Sequence, residues 1–165
     1  GFCYMNLRKF SKAERALLKT IELSEPGSFD EYVSLRYLSY FYYESFDFDK
    51  AKEFYNKALE HSRARYHIYE YAQVLLGLGR IFFLEKDYPQ AEKFYAESWD
   101  LYFESNMNDH SYREVCLVLF CVYSILGQNE KSHKFLQLSG GLEVAMLDSQ
   151  ISIEIFCFRI ENLHQ

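Results

Sequence analysis

Apolar side chains along this chain recur at the spacing of one helix face. Three sets of four columns match one another: Leu35, Leu38, Ser39 and Tyr42; Leu75, Leu78, Gly79 and Phe82; and Cys116, Leu119, Phe120 and Tyr123. Each set follows the i, i+3, i+4, i+7 pattern that indicates an amphipathic helix. A second stripe follows downstream, at Tyr55 and Leu59 and again at Tyr95 and Trp99. The two stripes predict a pair of antiparallel helices in each unit.

A small residue marks the start of the second helix in each pair. It stands at Ala13, Ala51, Ala91 and Ser132, in steps of 38, 40 and 41 residues. A fixed period in this range is the signature of a repeat protein, in which each unit buries its apolar stripe against its neighbours.

Signals for helix starts agree with this division. Ser11, Ser28, Asp87 and Ser111 each stand three residues before a Glu or Gln, which is the spacing of a capping box, and Pro89 falls in a first turn. No residue between His61 and Tyr66 breaks a helix, so that boundary has no sequence signal. The predicted helices are 11–24, 29–45, 49–62, 67–85, 88–104, 110–126, 129–138 and 142–163.

The order of these residues resembles the tetratricopeptide repeat, whose signature is a W-L-G-Y stripe followed by A, F and P. The fit is best at Leu75, Leu78, Gly79, Phe82, Tyr88, Ala91, Tyr95 and Trp99, and the resemblance covers about residues 1–138. It implies an all-α fold, a right-handed superhelix of antiparallel helix pairs. The period of about 40 residues exceeds the usual 34, so longer helices are expected. Phe120, Asn129 and Ser132 depart from the signature, and the last repeat is expected to be degenerate, with a short second helix.

We therefore expect one repeat domain over residues 1–165. It divides into a partial repeat at 1–27, repeats at 28–65 and 66–106, a degenerate repeat at 107–139 and a C-terminal helix at 140–165. Ile151, Ile155 and Phe158 give that last helix an apolar face, which is expected to cap the last repeat. The alternatives are homodimerisation through the same face and continuation as the first helix of a further repeat. Because the chain opens inside what should be a first helix, a piece of a longer solenoid is expected.

The first helix of each pair is expected to line the concave groove of such a superhelix. Shifting its core stripe by about one position along the sequence predicts the side chains that face the groove. They are Phe2, Asn6, Val33, Arg36, Tyr40, Tyr43, Gln73, Leu76, Arg80, Phe83, Glu114, Leu117, Cys121 and Ser124. Aromatic residues and arginines are typical of surfaces that hold a protein or peptide segment. Each aromatic has a competing role in packing between repeats, whereas Arg36 and Arg80 have less structural reason to lie on a concave face.

Composition excludes several classes of partner. The chain has 165 residues, 49% of them hydrophobic, and a formal net charge of −6, which lacks the basic surface of a nucleic-acid binder. The longest apolar run, 115–126, is too short to span a bilayer, and no secretory signal opens the sequence. The four cysteines lack metal-ligand spacing and are expected to be buried thiols of a cytoplasmic protein.

No residue pattern predicts catalysis or a cofactor. The five histidines are scattered and form no zinc-binding motif, so no metal is expected. Gly77 and Gly79 lie within a helical stripe instead of following a strand, which marks them as packing residues and not as a phosphate loop. Without a nucleophile motif or paired carboxylates, the chain is not expected to be an enzyme.

The leading hypothesis is thus a non-catalytic module that binds a protein or peptide segment in its groove. The period and long helices are also similar to the peptide-pheromone receptors of the Rap, NprR and PlcR type, which implies a peptide-sensing regulatory domain. Those receptors grip the peptide with asparagines, and here only Asn6 is predicted in the groove. A cochaperone-type carboxylate clamp fits less well, because Tyr40 stands where its Asn would be. A structural subunit that assembles through other faces is a further alternative.

Overall fold

The computed structural model of the protein describes residues 10–65, 68–106 and 110–140. These ranges form seven helices and contain no strand, which confirms an all-α helical-repeat fold. The helices are α1 (Phe10–Leu23), α2 (Phe29–Glu44), α3 (Phe48–Arg65), α4 (Ile68–Leu84), α5 (Tyr88–Glu104), α6 (His110–Ile125) and α7 (Asn129–Leu138). The predicted bounds agree to within three residues. The first nine residues and the predicted C-terminal helix at 142–163 lie outside the described ranges.

Two of the predicted capping residues begin a helix and two do not. Ser28 accepts a hydrogen bond from the backbone N–H of Glu31 at 3.2 Å, and Glu31 accepts one from the N–H of Gly27. Asp87 accepts from the N–H of Gln90 at 3.2 Å. The predictions for Ser11 and Ser111 are wrong, because α1 and α6 begin one residue earlier and both serines lie inside the helix.

The chain divides into two compact units, residues 1–81 and 82–165, with the boundary inside α4. In the first unit α2 packs on α1 and on α3, and in the second unit α6 packs on α5 and on α7. Tyr42, near the end of α2, donates its hydroxyl to Glu14, near the start of α1. This contact shows that α1 and α2 run antiparallel.

The repeat is visible in the turns between paired helices. The backbone N–H groups of Asp47, Asp87 and Gln128 donate to the carbonyls of Tyr42, Phe82 and Tyr123, at 3.0, 2.9 and 2.8 Å. The residue before each donor has a positive φ: 59° at Phe46, 63° at Lys86 and 71° at Gly127. This is the Schellman geometry, which satisfies the last carbonyls of a helix and reverses the chain.

A stacked aromatic pair accompanies each of these turns. The pairs are Tyr42–Phe54, Phe82–Phe94 and Tyr123–Phe135, with ring centroids 5.3 to 5.4 Å apart. The two members of each pair are always 12 residues apart along the chain. Each pair joins the end of one helix to the second turn of the next, so these contacts fix the angle of the hairpin.

The small residues predicted at the helix crossings are buried. Ala13, Ala51 and Ala91 are fully buried, and Ser132 is 5% exposed. Ser132 lies 2.6 Å from the hydroxyl of Ser124, which donates to the carbonyl of Phe120. The degenerate repeat therefore places a hydrogen-bonded serine where the others have alanine. Its second helix, α7, is short as predicted, with 10 residues.

The cysteine prediction holds in part. Cys116 is a buried free thiol, as expected. Cys121 is also buried, at 1% exposed, and Cys3 and Cys157 lie outside the described residues.

Candidate functional site

Three helices of the first unit enclose a cavity of about 250 Å³, which we name the arginine pocket. Its lining residues come from α2, α3 and α4: Arg36, Tyr37, Tyr40, Tyr55, Gln73, Gly77 and Arg80. A volume of this size suits one side chain better than a whole small-molecule ligand. The pocket is thus a place for a single group of a larger partner.

Helical spacing explains how these residues come together. Arg36 and Tyr40 are four residues apart on α2, and Gln73, Gly77 and Arg80 follow one face of α4. Tyr55 on α3 is 5% exposed, and its ring lies against Gly77. A Cβ atom built at Gly77 would lie 2.5 Å from Cζ of Tyr55, so only glycine admits the ring at this depth.

The guanidinium group of Arg36 is only partly neutralised by its surroundings. Its Nε is 3.8 Å from Oε2 of Glu70, too long for a hydrogen bond, and its Cζ lies 5.2 Å from the ring centroid of Tyr37. The Nε atom is buried and has no hydrogen-bond acceptor among the described residues. The hydroxyl of Tyr32 donates hydrogen bonds to the backbone carbonyl of Glu70 at 3.1 Å and to the Glu70 carboxylate at 3.3 Å.

Two tyrosines of the pocket, Tyr40 and Tyr55, stay protonated at neutral pH. Burial and the Glu44 carboxylate raise the pKa of Tyr40 to about 12, against an opposing influence of Arg80. Burial also raises the pKa of Tyr55, while the positive charges of Arg80 and Arg36 act to lower it. Both guanidinium groups therefore act electrostatically on the phenol of Tyr55. An anion beside that phenol would feel both positive charges.

A row of aromatic rings leads from the pocket to the α2–α3 turn, and we name it the aromatic strip. It consists of Tyr40, Tyr43, Phe48 and Phe46, in that order. Successive ring centroids are 6.1, 6.2 and 6.1 Å apart. Phe46 is 72% exposed and holds a left-handed backbone conformation, which is uncommon for a bulky residue.

The structure brings four of the predicted groove residues to this pocket: Arg36, Tyr40, Gln73 and Arg80. Tyr43 belongs to the aromatic strip, and Val33 lies half-buried on α2 outside the pocket. Leu76 and Cys121 are 1% exposed and Phe83 is 9% exposed, so these three side chains are core residues, unable to contact a partner.

The remaining predicted residues fall elsewhere. Glu114, Leu117 and Ser124 lie half-buried on α6, in the second unit. The hydroxyl of Ser124 is engaged with Phe120 and Ser132. Phe2 and Asn6 lie outside the described residues.

Sequence reasoning missed Tyr37, Tyr55 and Gly77 as pocket residues. Tyr55 was assigned to the core stripe of α3, where it does belong, and Gly77 was expected to be a packing residue, which its contact with Tyr55 confirms. The pocket forms because Gly77 has no side chain. The space that a side chain would fill stays open, and the ring of Tyr55 lies at its base. A glycine one turn from an arginine on a helix face is the available signal.

Within the described ranges, no group of His, Cys, Asp and Glu side chains is placed to hold a metal ion. None of the helices described above has the length and apolar character needed to cross a membrane.

Part of the chain matches a known protein family. Residues 30–104 match the tetratricopeptide repeat family. The matched segment runs from α2 to the end of α5 and contains the whole arginine pocket and the aromatic strip. Tetratricopeptide repeats generally mediate protein–protein interactions, and the family is an interaction repeat without catalysis. No curated protein matches the chain.

Among solved structures, the fold is similar to that in the crystal structure of BtubC (BKLC) from P. vanneervenii. The TM-score is 0.73 at 18% sequence identity, and the alignment covers 88% of this chain and 61% of that chain. This chain thus spans about three fifths of the length of that relative. At this identity the likeness shows a shared fold.

Proposed function

We propose that this chain is a non-catalytic interaction module that binds a segment of a protein partner over the arginine pocket. The observation that carries the proposal is the meeting of Arg36 and Arg80, from two different helices, beside one cavity. Arginine and tyrosine are the residue types most enriched where partners bind tightly, because they combine apolar area with directed hydrogen bonds. The family match supports the same class of function.

Site-specific photo-crosslinking tests this proposal. A benzoylphenylalanine at Tyr37 lines the pocket, and the same group at Phe29 lies on α2 but away from it; Phe29 is 50% exposed. We expect crosslinked adducts in native lysate from position 37 and not from position 29. Both sites replace an aromatic ring, so the pair controls for the probe itself.

The arginines provide the second arm of the test. We expect R36Q/R80Q to lose the adduct at position 37, whereas K12Q/K19Q, which removes two exposed charges from α1, keeps it. Adducts of equal yield from positions 29 and 37, or adducts that survive R36Q/R80Q unchanged, would contradict binding at the pocket.

Two other functions stay open to the same fold. A peptide-sensing regulatory domain would use the same pocket and differ only in what the binding event controls. A structural subunit would use other faces, and exposed leucines on α1 favour it: Leu18 is 41% and Leu23 is 74% exposed. A partner that crosslinks from Leu23 and not from Tyr37 would support the assembly function.

We propose two further properties. The first is homodimerisation through residues 142–163, and the second is a cytoplasmic location. Light scattering with and without this segment tests the first: a monomer in both cases contradicts the dimer. Thiol labelling of Cys121, in denatured protein taken from native cells, tests the second. A reduced Cys121 is expected in the cytoplasm.

A further inference from the structure

The arginine pocket and the aromatic strip together define the chemistry of a binding segment. We infer that the pocket takes the carboxylate of an internal Asp or Glu of the partner, while an apolar side chain about three residues away packs on the aromatic strip. This inference rests on the proposed function and adds the class of segment that the site prefers.

The guanidinium group of Arg36, which lines the pocket and makes no hydrogen bond through Nε to any residue that the structure describes, argues for an anionic group. A buried N–H without an acceptor is costly, and no described residue offers Arg36 Nε a hydrogen bond. Glu70 is near enough to attract the guanidinium and too far to bond to it, at 3.8 Å. The Arg36 side chain is 31% exposed and lines the pocket, so a carboxylate there would gain charge-assisted hydrogen bonds from the accessible part of the guanidinium group.

The balance of charge favours a singly charged group. Arg36 and Arg80 both line the pocket, whereas Glu70 and Glu44 do not. These two carboxylates lie at its margins, beside Arg36 and beside Tyr40. They offset part of the positive potential, so a carboxylate is better matched than a doubly charged phosphate. The hydroxyls of Tyr40 and Tyr55, protonated at neutral pH, add neutral polar groups near the bound carboxylate.

The aromatic strip sets the position of the apolar side chain. Successive ring centroids from Tyr40 at the pocket to Phe46 at the exposed end are 6.1, 6.2 and 6.1 Å apart, so the two ends of the strip are at most about 18 Å apart. An extended segment covers about 10 Å in three residues, at about 3.3 Å each, and so reaches onto the strip from the pocket. The exposed ring of Phe46 is the natural contact for an apolar side chain at that spacing.

An array of short synthetic peptides tests the inference on the whole chain. All peptides are acetylated, and all but one set are amidated, so that only that set has a charged end. Parallel sets carry an internal Glu, a Gln in its place, a phosphoserine in its place, or no acid but a free C-terminal carboxylate. We expect the Glu peptides to bind best, and the Gln peptides about tenfold or more weakly, since a hydrogen bond to a charged group contributes about 1.5–3 kcal/mol.

Two variants assign the preference to its residues. R36Q/R80Q should bind Glu and Gln peptides equally, whereas the charge-matched K12Q/K19Q keeps the difference. F46N should lose the preference for an apolar residue about three positions from the acid and keep the preference for Glu. Asparagine tolerates the left-handed backbone at this site, so the variant keeps its fold.

The outcomes separate this inference from the proposed function. Peptides that bind with no preference for Glu over Gln overturn the inference and leave the interaction module in place. Stronger binding of the phosphoserine peptides, or of the peptides with a free C-terminus, overturns the claim that the pocket takes an internal Asp or Glu. Failure of every peptide, together with no adduct from position 37 in the crosslinking experiment, overturns both.

Discussion

Gly77 on α4 and Tyr55 on α3 lie in such close contact that a single added carbon would clash with the ring. A Cβ atom at Gly77 would be 2.5 Å from Cζ and 2.7 Å from the hydroxyl oxygen of Tyr55. The tyrosine is 5% exposed and has little room to withdraw. This contact lets α3 and α4 approach each other and forms the floor of the arginine pocket.

We expect G77A to destabilise the protein because of this contact. Overpacking of a dense core costs about 1–3 kcal/mol, from which the roughly 1 kcal/mol gain of alanine over glycine inside a helix is subtracted. Urea denaturation measures the change. In a Y55L background the clash is gone, so the same substitution should be neutral or stabilising. A loss of equal size in both backgrounds would contradict the assigned contact.

Buried tyrosines should make the protein sensitive to alkali. Burial is the largest cause of raised pKa values among the tyrosines. The pKa of Tyr40 and of Tyr123 rises to about 12, and the pKa of Tyr32 and of Tyr42 is raised as well. The unfolded chain releases these protons near pH 10, before the folded protein does. Stability from these groups is therefore complete below pH 10 and falls as the pH rises towards 12.

Phenolate absorbance and circular dichroism, recorded together, test this expectation. The tyrosines with raised pKa values should ionise together with the loss of the helix signal in circular dichroism above pH 10. Replacing Tyr42 by Phe removes one of these groups and should flatten the pH dependence. Complete ionisation of all tyrosines without loss of helix would contradict their burial.

Cys116 should be unreactive in the folded protein. It is fully buried, and burial raises the pKa of its thiol to about 11, so very little thiolate exists near neutral pH. Iodoacetamide followed by mass spectrometry should find this cysteine unmodified in native protein and modified in denaturant. Rapid labelling under native conditions would show that α6 is more open than its packing indicates.

Ser132 should tolerate replacement by the alanine that the other repeats use. Its hydroxyl contacts Ser124 at 2.6 Å, but Ser124 also donates to the carbonyl of Phe120 at 2.8 Å. Because Ser124 keeps that bond, we expect S132A to change the free energy of unfolding by less than about 1 kcal/mol. S132V inserts extra carbons into the same buried position and should cost about 1–3 kcal/mol. Equal effects of the two variants would contradict this view of the site.

Hydrophobic periodicity located the helices because the spacing of a buried stripe depends only on helical geometry. The columns at 35–42, 75–82 and 116–123 each became the packed face of a helix, and the bounds agree closely. The caps at Ser11 and Ser111 failed because a serine three residues before a glutamate is as compatible with the first turn as with the cap. The end of α3 at Arg65 carries no local signal, since no glycine or proline marks it.

The sequence by itself thus determined the all-α repeat and the approximate position of every described helix. Only the tertiary structure decided which residues form the pocket, because that depends on how deeply two helices pack. Leu76 and Cys121 share the predicted face with Arg36 and Arg80 but are buried, and Tyr55 reaches the pocket from a core position. Helical spacing gives the direction of a side chain, whereas its exposure is set by the neighbour that covers it.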